Sequence, residues 1–152
     1  MPSQALAPFA PLPPGIDAAV PVIVFDGVCV LCSAFMRFVL RHDRAQQFRF
    51  VVAQSPLGQA LYQRFGLNPV VFESNLVLMN DQLHTELAAV AAVMRALPWP
   101  WRLLSAARWL PVPLSGWLYR AIADNRYRLF GRTEQCLMPT PALRQRFVEG
   151  GF

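Results

Sequence analysis

Two cysteines, Cys29 and Cys32, stand three residues apart, a spacing typical of a redox pair or of half a metal site. They follow an apolar run at 22–25 and precede apolar residues at helical spacing between 31 and 39. This pattern predicts a buried strand, a tight turn and a helix whose N-terminus carries both sulfurs. A helix N-terminus favours a thiolate, and a second sulfur one turn later can resolve a mixed disulfide.

A carboxylate accompanies the pair. Asp26 precedes Cys29 by three residues and stands at the carboxyl end of the predicted strand. It can pass a proton to or from a sulfur, or it can cap the helix with its side chain, and the two roles are compatible. We therefore predict that Cys29 attacks, that Cys32 resolves and that Asp26 accepts or donates the proton.

Two other interpretations of the cysteines stay open. A zinc site needs two further ligands, and the candidates Cys136, His42 and His84 do not stand at a spacing typical of zinc. The cysteines can also be inert residues of a core helix. We predict neither a metal nor a dissociable cofactor, and we expect Cys136 to have a packing role.

The composition limits the class of protein. The chain of 152 residues is 55% hydrophobic and 15% charged, which suits one domain with a sizeable core. All 14 basic residues are arginines without a dense run, so we expect no nucleic-acid partner. No uncharged stretch reaches the roughly 18–20 residues of a spanning helix. Because the N-terminus lacks the pattern of a signal peptide, the cytoplasm is expected, where a disulfide is usually transient and catalytic.

Hydrophobic periodicity predicts an α/β domain at residues 21–152, after a proline-rich and poorly ordered segment at 1–20. Three strands are expected to be parallel and to alternate with two helices. The strands are predicted at 22–26, 48–53 and 76–79, and the helices at 29–42 and 55–65. Three more helices, at 86–97, 101–110 and 114–130, are expected to pack onto the sheet with their tryptophans in the core.

The segment Asp26-Gly27-Val28-Cys29-Val30-Leu31-Cys32 resembles the D-G-x-C-x-L-C signature of the thiol-disulfide oxidoreductase DCC family. The similarity continues through Arg41–Asp43, the strands at 48–53 and 76–80, and the C-terminal helices, and so covers roughly residues 21–138. The resemblance implies a thioredoxin-like fold with additional C-terminal helices. It also implies that Cys29 and Cys32 are the redox pair.

These observations together predict a thiol-disulfide oxidoreductase. Its expected substrate is a disulfide or a dithiol, either in a protein or in a small thiol such as glutathione. The alternative is a non-catalytic thioredoxin-like binding module that holds a metal or docks on a membrane or protein partner. Such docking would use the tryptophan-rich part of the chain, with Trp99, Trp101, Trp109 and Trp117.

Overall fold

The computed structural model describes residues 4–5, 13, 15–17, 19–68, 75–79, 82–109, 112–131, 141–148 and 150–151. The strands are β1 (Gln4–Ala5), β2 (Val22–Phe25), β3 (Arg49–Val52), β4 (Leu76–Met79) and β5 (Gln82–Thr85). The helices are α1 (Val30–His42), α2 (Pro56–Arg64), α3 (Glu86–Ala96), α4 (Val112–Phe130) and α5 (Pro141–Arg144), with a 3-10 helix at Trp101–Trp109.

The strands form one mixed sheet in the order β1-β5-β4-β2-β3. Strands β2 and β3 are parallel, as predicted, whereas β4 is antiparallel to both β2 and β5. The prediction that the strand at 76–79 is parallel is therefore wrong. Leu76, the first residue of β4, pairs with Val24 near the end of β2, so β4 starts at the edge of the sheet where β2 ends and runs back along it. This arrangement of strands and helices is thioredoxin-like.

Helices cover both faces of the sheet, which explains why the central strand is apolar at every position. In β2, Ile23 and Phe25 belong to the core shared with α1 and α3, whereas Val22 and Val24 belong to the core shared with α2. All four side chains are buried, as the predicted run at 22–26 requires. The strand thus ends in the buried core, directly before the cysteine motif.

Local signals fix the ends of α2. The Ser55 hydroxyl accepts a hydrogen bond from the Gly58 amide at 3.0 Å, and Pro56 occupies the first turn, as predicted. Gly66 follows the helix at a φ of +70°, which suits glycine. Gly58 itself lies against β3, because a Cβ there would stand 2.3 Å from the Val52 carbonyl oxygen. This close approach seats α2 on the sheet.

The second half of the chain departs from two predictions. The sequence did not predict β5, and the segment at 101–109 is a 3-10 helix. Helix α4 contacts α1 and α3, but the apolar stripe expected to pack onto the sheet is largely exposed, with Trp117 at 68% and Leu129 at 63%. Trp99 is 75% exposed, so the prediction that the tryptophans fill the core is wrong for Trp99 and Trp117. Trp101 is half-buried against Phe38, in an edge-on contact at 4.8 Å.

Two further predictions concern the chain ends and the membrane. Residues 4–5 of the proline-rich segment pair with β5 as strand β1. Cys136 lies outside the described residues. Among the helices that the structure describes, none is long and apolar enough to cross a membrane.

His84 in β5 gives the fold a pH dependence that can be measured. Burial lowers the pKa of His84 from its usual 6.5, and the weaker, opposing cause is a hydrogen bond with the Met79 backbone. Below about pH 6.5, His84 therefore binds a proton in the unfolded chain more readily than in the folded chain. The free energy of unfolding should fall as the pH drops below this value. Urea midpoints at pH 7.5 and 5.5 should differ less for His84→Gln than for the wild type. If the two proteins showed the same difference between their urea midpoints, burial of His84 would not be the cause of the pH dependence.

Candidate functional site

The cysteine motif forms a tight turn at the carboxyl end of β2. The Asp26 carbonyl accepts the Cys29 amide at 3.3 Å, which closes the turn just before α1. Cys29 is the N-cap of α1, and its Sγ accepts the Cys32 amide at 3.3 Å. The helix cap is therefore the Cys29 sulfur rather than the Asp26 side chain that the sequence offered as an alternative. A sulfur in this position faces the free amides of the first helical turn, which stabilise negative charge.

The two cysteines differ in exposure and in contact with a cleft. Both are thiols, and both belong to the core between the sheet and α1. Cys29 has no exposed surface, whereas Cys32 is 5% exposed and lines a cleft that α1, α3 and α4 share. The helix N-terminus thus favours a thiolate on Cys29, whereas Cys32 is the cysteine that contacts the cleft.

Asp26 lies next to the pair in the chain and is itself buried, with 1% of its surface exposed. Its Oδ1 accepts the Val28 amide at 3.1 Å and the Gln54 side-chain amide at 2.5 Å. Its Oδ2 accepts the Tyr127 hydroxyl. These three donors hold the carboxylate at the N-terminal end of α1.

Gln54 and Tyr127 were not predicted from the sequence as part of this site. Gln54 follows β3, and its Oε1 also accepts the Gly27 amide at 3.0 Å, so one side chain holds both Asp26 and the turn. A sequence signal for Gln54 existed, because residues just beyond two adjacent parallel strands meet at one edge of the sheet. Tyr127 comes from α4, 101 residues along the chain, and no local pattern indicates its contact with Asp26.

The other candidates lie apart from this site or outside the described residues. The His42 ring packs on Phe38 and Trp101 at centroid distances of 4.5 and 4.8 Å. His84 pairs with Val77 in the sheet. Cys136 lies outside the described residues. Within the part of the chain that the structure describes, no three His, Cys, Asp or Glu side chains are grouped to hold a metal ion.

A thioredoxin-like sheet with a C-x-x-C pair at the first helix N-terminus defines a class of thiol-dependent proteins. Residues 23–132 match the family model of DCC1-like thiol-disulfide oxidoreductases, and the chain belongs to this family. This match includes Asp26, both cysteines, Gln54 and Tyr127.

Two curated proteins resemble the chain along most of its length. The uncharacterized protein YuxK of Bacillus subtilis (strain 168) is 35% identical over 127 residues, which are 84% of this chain and 93% of YuxK. The DCC family protein At1g52590, chloroplastic, of Arabidopsis thaliana is 36% identical over 118 residues, 76% of this chain and 68% of the plant protein. No solved structure matches significantly.

Proposed function

We propose that this protein is an enzyme that exchanges two electrons with a disulfide or dithiol substrate through Cys29 and Cys32. The observation that carries the proposal is the hydrogen bond from the Cys32 amide to the Cys29 sulfur, at the start of α1. It supports a thiolate on Cys29 and keeps the sulfurs within one helical turn of each other, as disulfide formation requires. Membership of a family of thiol-disulfide oxidoreductases supports the same chemistry.

We propose a different division of labour between the sulfurs from the one that the sequence predicted. The sequence pattern predicted that Cys29 attacks the substrate and that Cys32 resolves the mixed disulfide. Access favours the reverse, because Cys32 lines the cleft and Cys29 is fully buried. In this scheme Cys32 forms the mixed disulfide with the substrate. The Cys29 thiolate then attacks the Cys32 sulfur and releases the reduced substrate.

Asp26 is the proposed proton acceptor and donor for the sulfurs, with Gln54 and Tyr127 as positioning residues. Asp26→Asn keeps the size of the side chain and an oxygen for the Val28 amide, but it removes the carboxylate. Exchange between dithiothreitol and hydroxyethyl disulfide, followed over a range of pH, should be about 10²-fold slower in this variant, the lower limit for loss of a general acid or base.

Asp124→Asn is the matched control for this experiment. Asp124 is an exposed carboxylate of α4, so its replacement should leave both the rate and the pH profile unchanged. If wild-type protein fails to accelerate the exchange, the enzymatic proposal is wrong. If Asp26→Asn matches the wild type at every pH, Asp26 has no role in proton transfer.

A binding function is the second candidate, and exposed apolar side chains favour it. Trp99, Leu103, Trp117 and Leu129 are each more than 60% exposed, on or just before the 3-10 helix and on α4. Such a surface suits contact with a membrane or a protein partner. A module that only binds would retain a partner through these side chains while the cysteines never cycle.

We assign the exchange reaction to the cytoplasm, where a transient disulfide is expected.

A further inference from the structure

A cleft beside the cysteine pair has the size of a small-molecule site. Its volume is about 300 Å³, and its walls come mainly from α1, α3 and α4. Small-molecule sites usually measure roughly 300–1,000 Å³, so this cleft suits a small ligand. It opens to solvent beside Ile122 and Phe130, which are 40% and 47% exposed.

The chemistry of the walls selects an uncharged, apolar ligand. The lining residues include Leu31, Phe35 and Val90, and among the residues that the structure describes none of those lining the cleft carries a charge. Their polar groups are the Cys32 thiol, the Asn75 amide and the Tyr119 hydroxyl. The described walls offer no cation to the carboxylates of glutathione, which would lose their hydration here at a high cost. A peptide carries a backbone amide at every residue, which is more than these few polar groups can pair.

We propose that this cleft binds the hydrocarbon part of a substrate whose two sulfurs are carried on a short alkyl chain. The inference rests on the proposed function and adds the class of substrate. The volume corresponds to about ten water molecules, the size of a chain of roughly eight carbons and two sulfurs. A 1,2-dithiolane on an alkyl amide, with its reduced dithiol, has this chemistry. In the cleft its sulfurs meet Cys32, which is part of the wall.

The electron balance of the step is complete with these two partners. One thiolate of the reduced substrate attacks the Cys32 sulfur of the Cys29–Cys32 disulfide, and Cys29 leaves as a thiolate. The second substrate thiolate then attacks the substrate sulfur that is bonded to Cys32, and Cys32 leaves. The substrate loses two electrons and two protons and closes its ring, while the protein gains a dithiol. The reverse reaction passes through the same mixed disulfide.

The test compares reduction of the oxidised protein by dihydrolipoamide, whose dithiol carries an apolar alkyl tail, and by dithiothreitol, whose short chain is hydroxylated and has no such tail. The rate constant of each dithiol with the protein is divided by the rate constant of the same dithiol with hydroxyethyl disulfide. This ratio removes the difference in intrinsic reactivity between the two dithiols. The wild type should prefer dihydrolipoamide by about tenfold or more, the usual effect of additional methylenes in an apolar pocket. Ile122→Glu should abolish this preference, because it places a charge at the mouth of the apolar cleft.

Leu118→Glu is the matched control, since Leu118 lies one turn earlier on α4, is 41% exposed and does not line the cleft. This variant should keep the preference. The inference is overturned if the wild type shows no preference, if Ile122→Glu retains it, or if both glutamate variants lose it equally. If dithiothreitol itself does not reduce the pair, the exchange function fails instead, so the two failures are distinguishable.

Discussion

Replacement of Cys29 by serine is expected to slow the exchange of hydroxyethyl disulfide with dithiothreitol by at least about 10³-fold. An external thiol must then release the substrate from Cys32, and it lacks the effective concentration of a sulfur in the same turn, which can exceed about 10⁵ M. A mixed disulfide on Cys32 should therefore accumulate in this variant. Mass spectrometry of the intact protein and its peptides detects the adduct and its position.

Two further variants complete this prediction. Cys32→Ser should also lose turnover but should form little adduct, because Cys29 has no exposed surface. Both variants are best made with Cys136→Ser, so that no third cysteine can form an adduct. The Cys136→Ser protein alone is the control and should turn over like the wild type. An adduct on Cys29 in Cys32→Ser, without one on Cys32 in Cys29→Ser, would reverse the proposed roles.

Replacement of Asp43 by alanine is expected to lower the free energy of unfolding by about 3–5 kcal/mol, the usual cost of removing one partner of a buried ion pair. Asp43 is buried at the end of α1 and accepts an Arg146 guanidinium hydrogen bond at 2.5 Å. It also accepts the backbone amides of Gln47 and Phe48 at 3.2 and 3.0 Å. Burial lowers the pKa of Arg146, and Asp43 opposes this effect. Without Asp43, a buried guanidinium charge remains unpaired.

The same ion pair holds the C-terminal segment on the sheet. The Phe50 amide donates to the Arg146 carbonyl at 2.8 Å, and the Val148 amide donates to the Phe50 carbonyl at 3.0 Å. Urea unfolding measures the loss, with exposed Asp17→Ala as the control, which should change stability by less than about 0.5 kcal/mol. Adding Arg146→Met to Asp43→Ala should recover part of the loss. Equal stabilities of Asp43→Ala and the wild type would refute the importance of the pair.

The sequence predicted those parts of the fold in which local pattern and tertiary packing agree. The strand at β2, the helix at α1 and the cap at Ser55 follow from apolar periodicity and capping residues, and the structure confirms them. Strand β5 was missed because its four residues contain only one buried side chain, Leu83. The apolar stripe of α4 was wrongly predicted to pack onto the sheet, because periodicity indicates an apolar face but not what covers it.

The candidate site was predictable to the extent that its residues are close in sequence. Asp26, Cys29 and Cys32 lie within one turn and the start of one helix, so their spacing indicated their proximity. The contacts of Gln54 and Tyr127 with Asp26 depend on strand register and on the placement of α4. The unequal access of the two sulfurs also depends on that placement, because α4 forms one wall of the cleft.

The most direct test of thiol–disulfide exchange through Cys29 and Cys32 is a redox titration of the wild-type protein in dithiothreitol buffers of graded potential. Alkylation of thiols and peptide mass spectrometry then report the state of each cysteine. We predict one reversible two-electron transition that converts the Cys29 and Cys32 thiols into a single disulfide and leaves Cys136 as a thiol. If Cys29 and Cys32 stay as thiols under the most oxidising conditions, or if either sulfur pairs with Cys136 instead, thiol–disulfide exchange through this pair is contradicted.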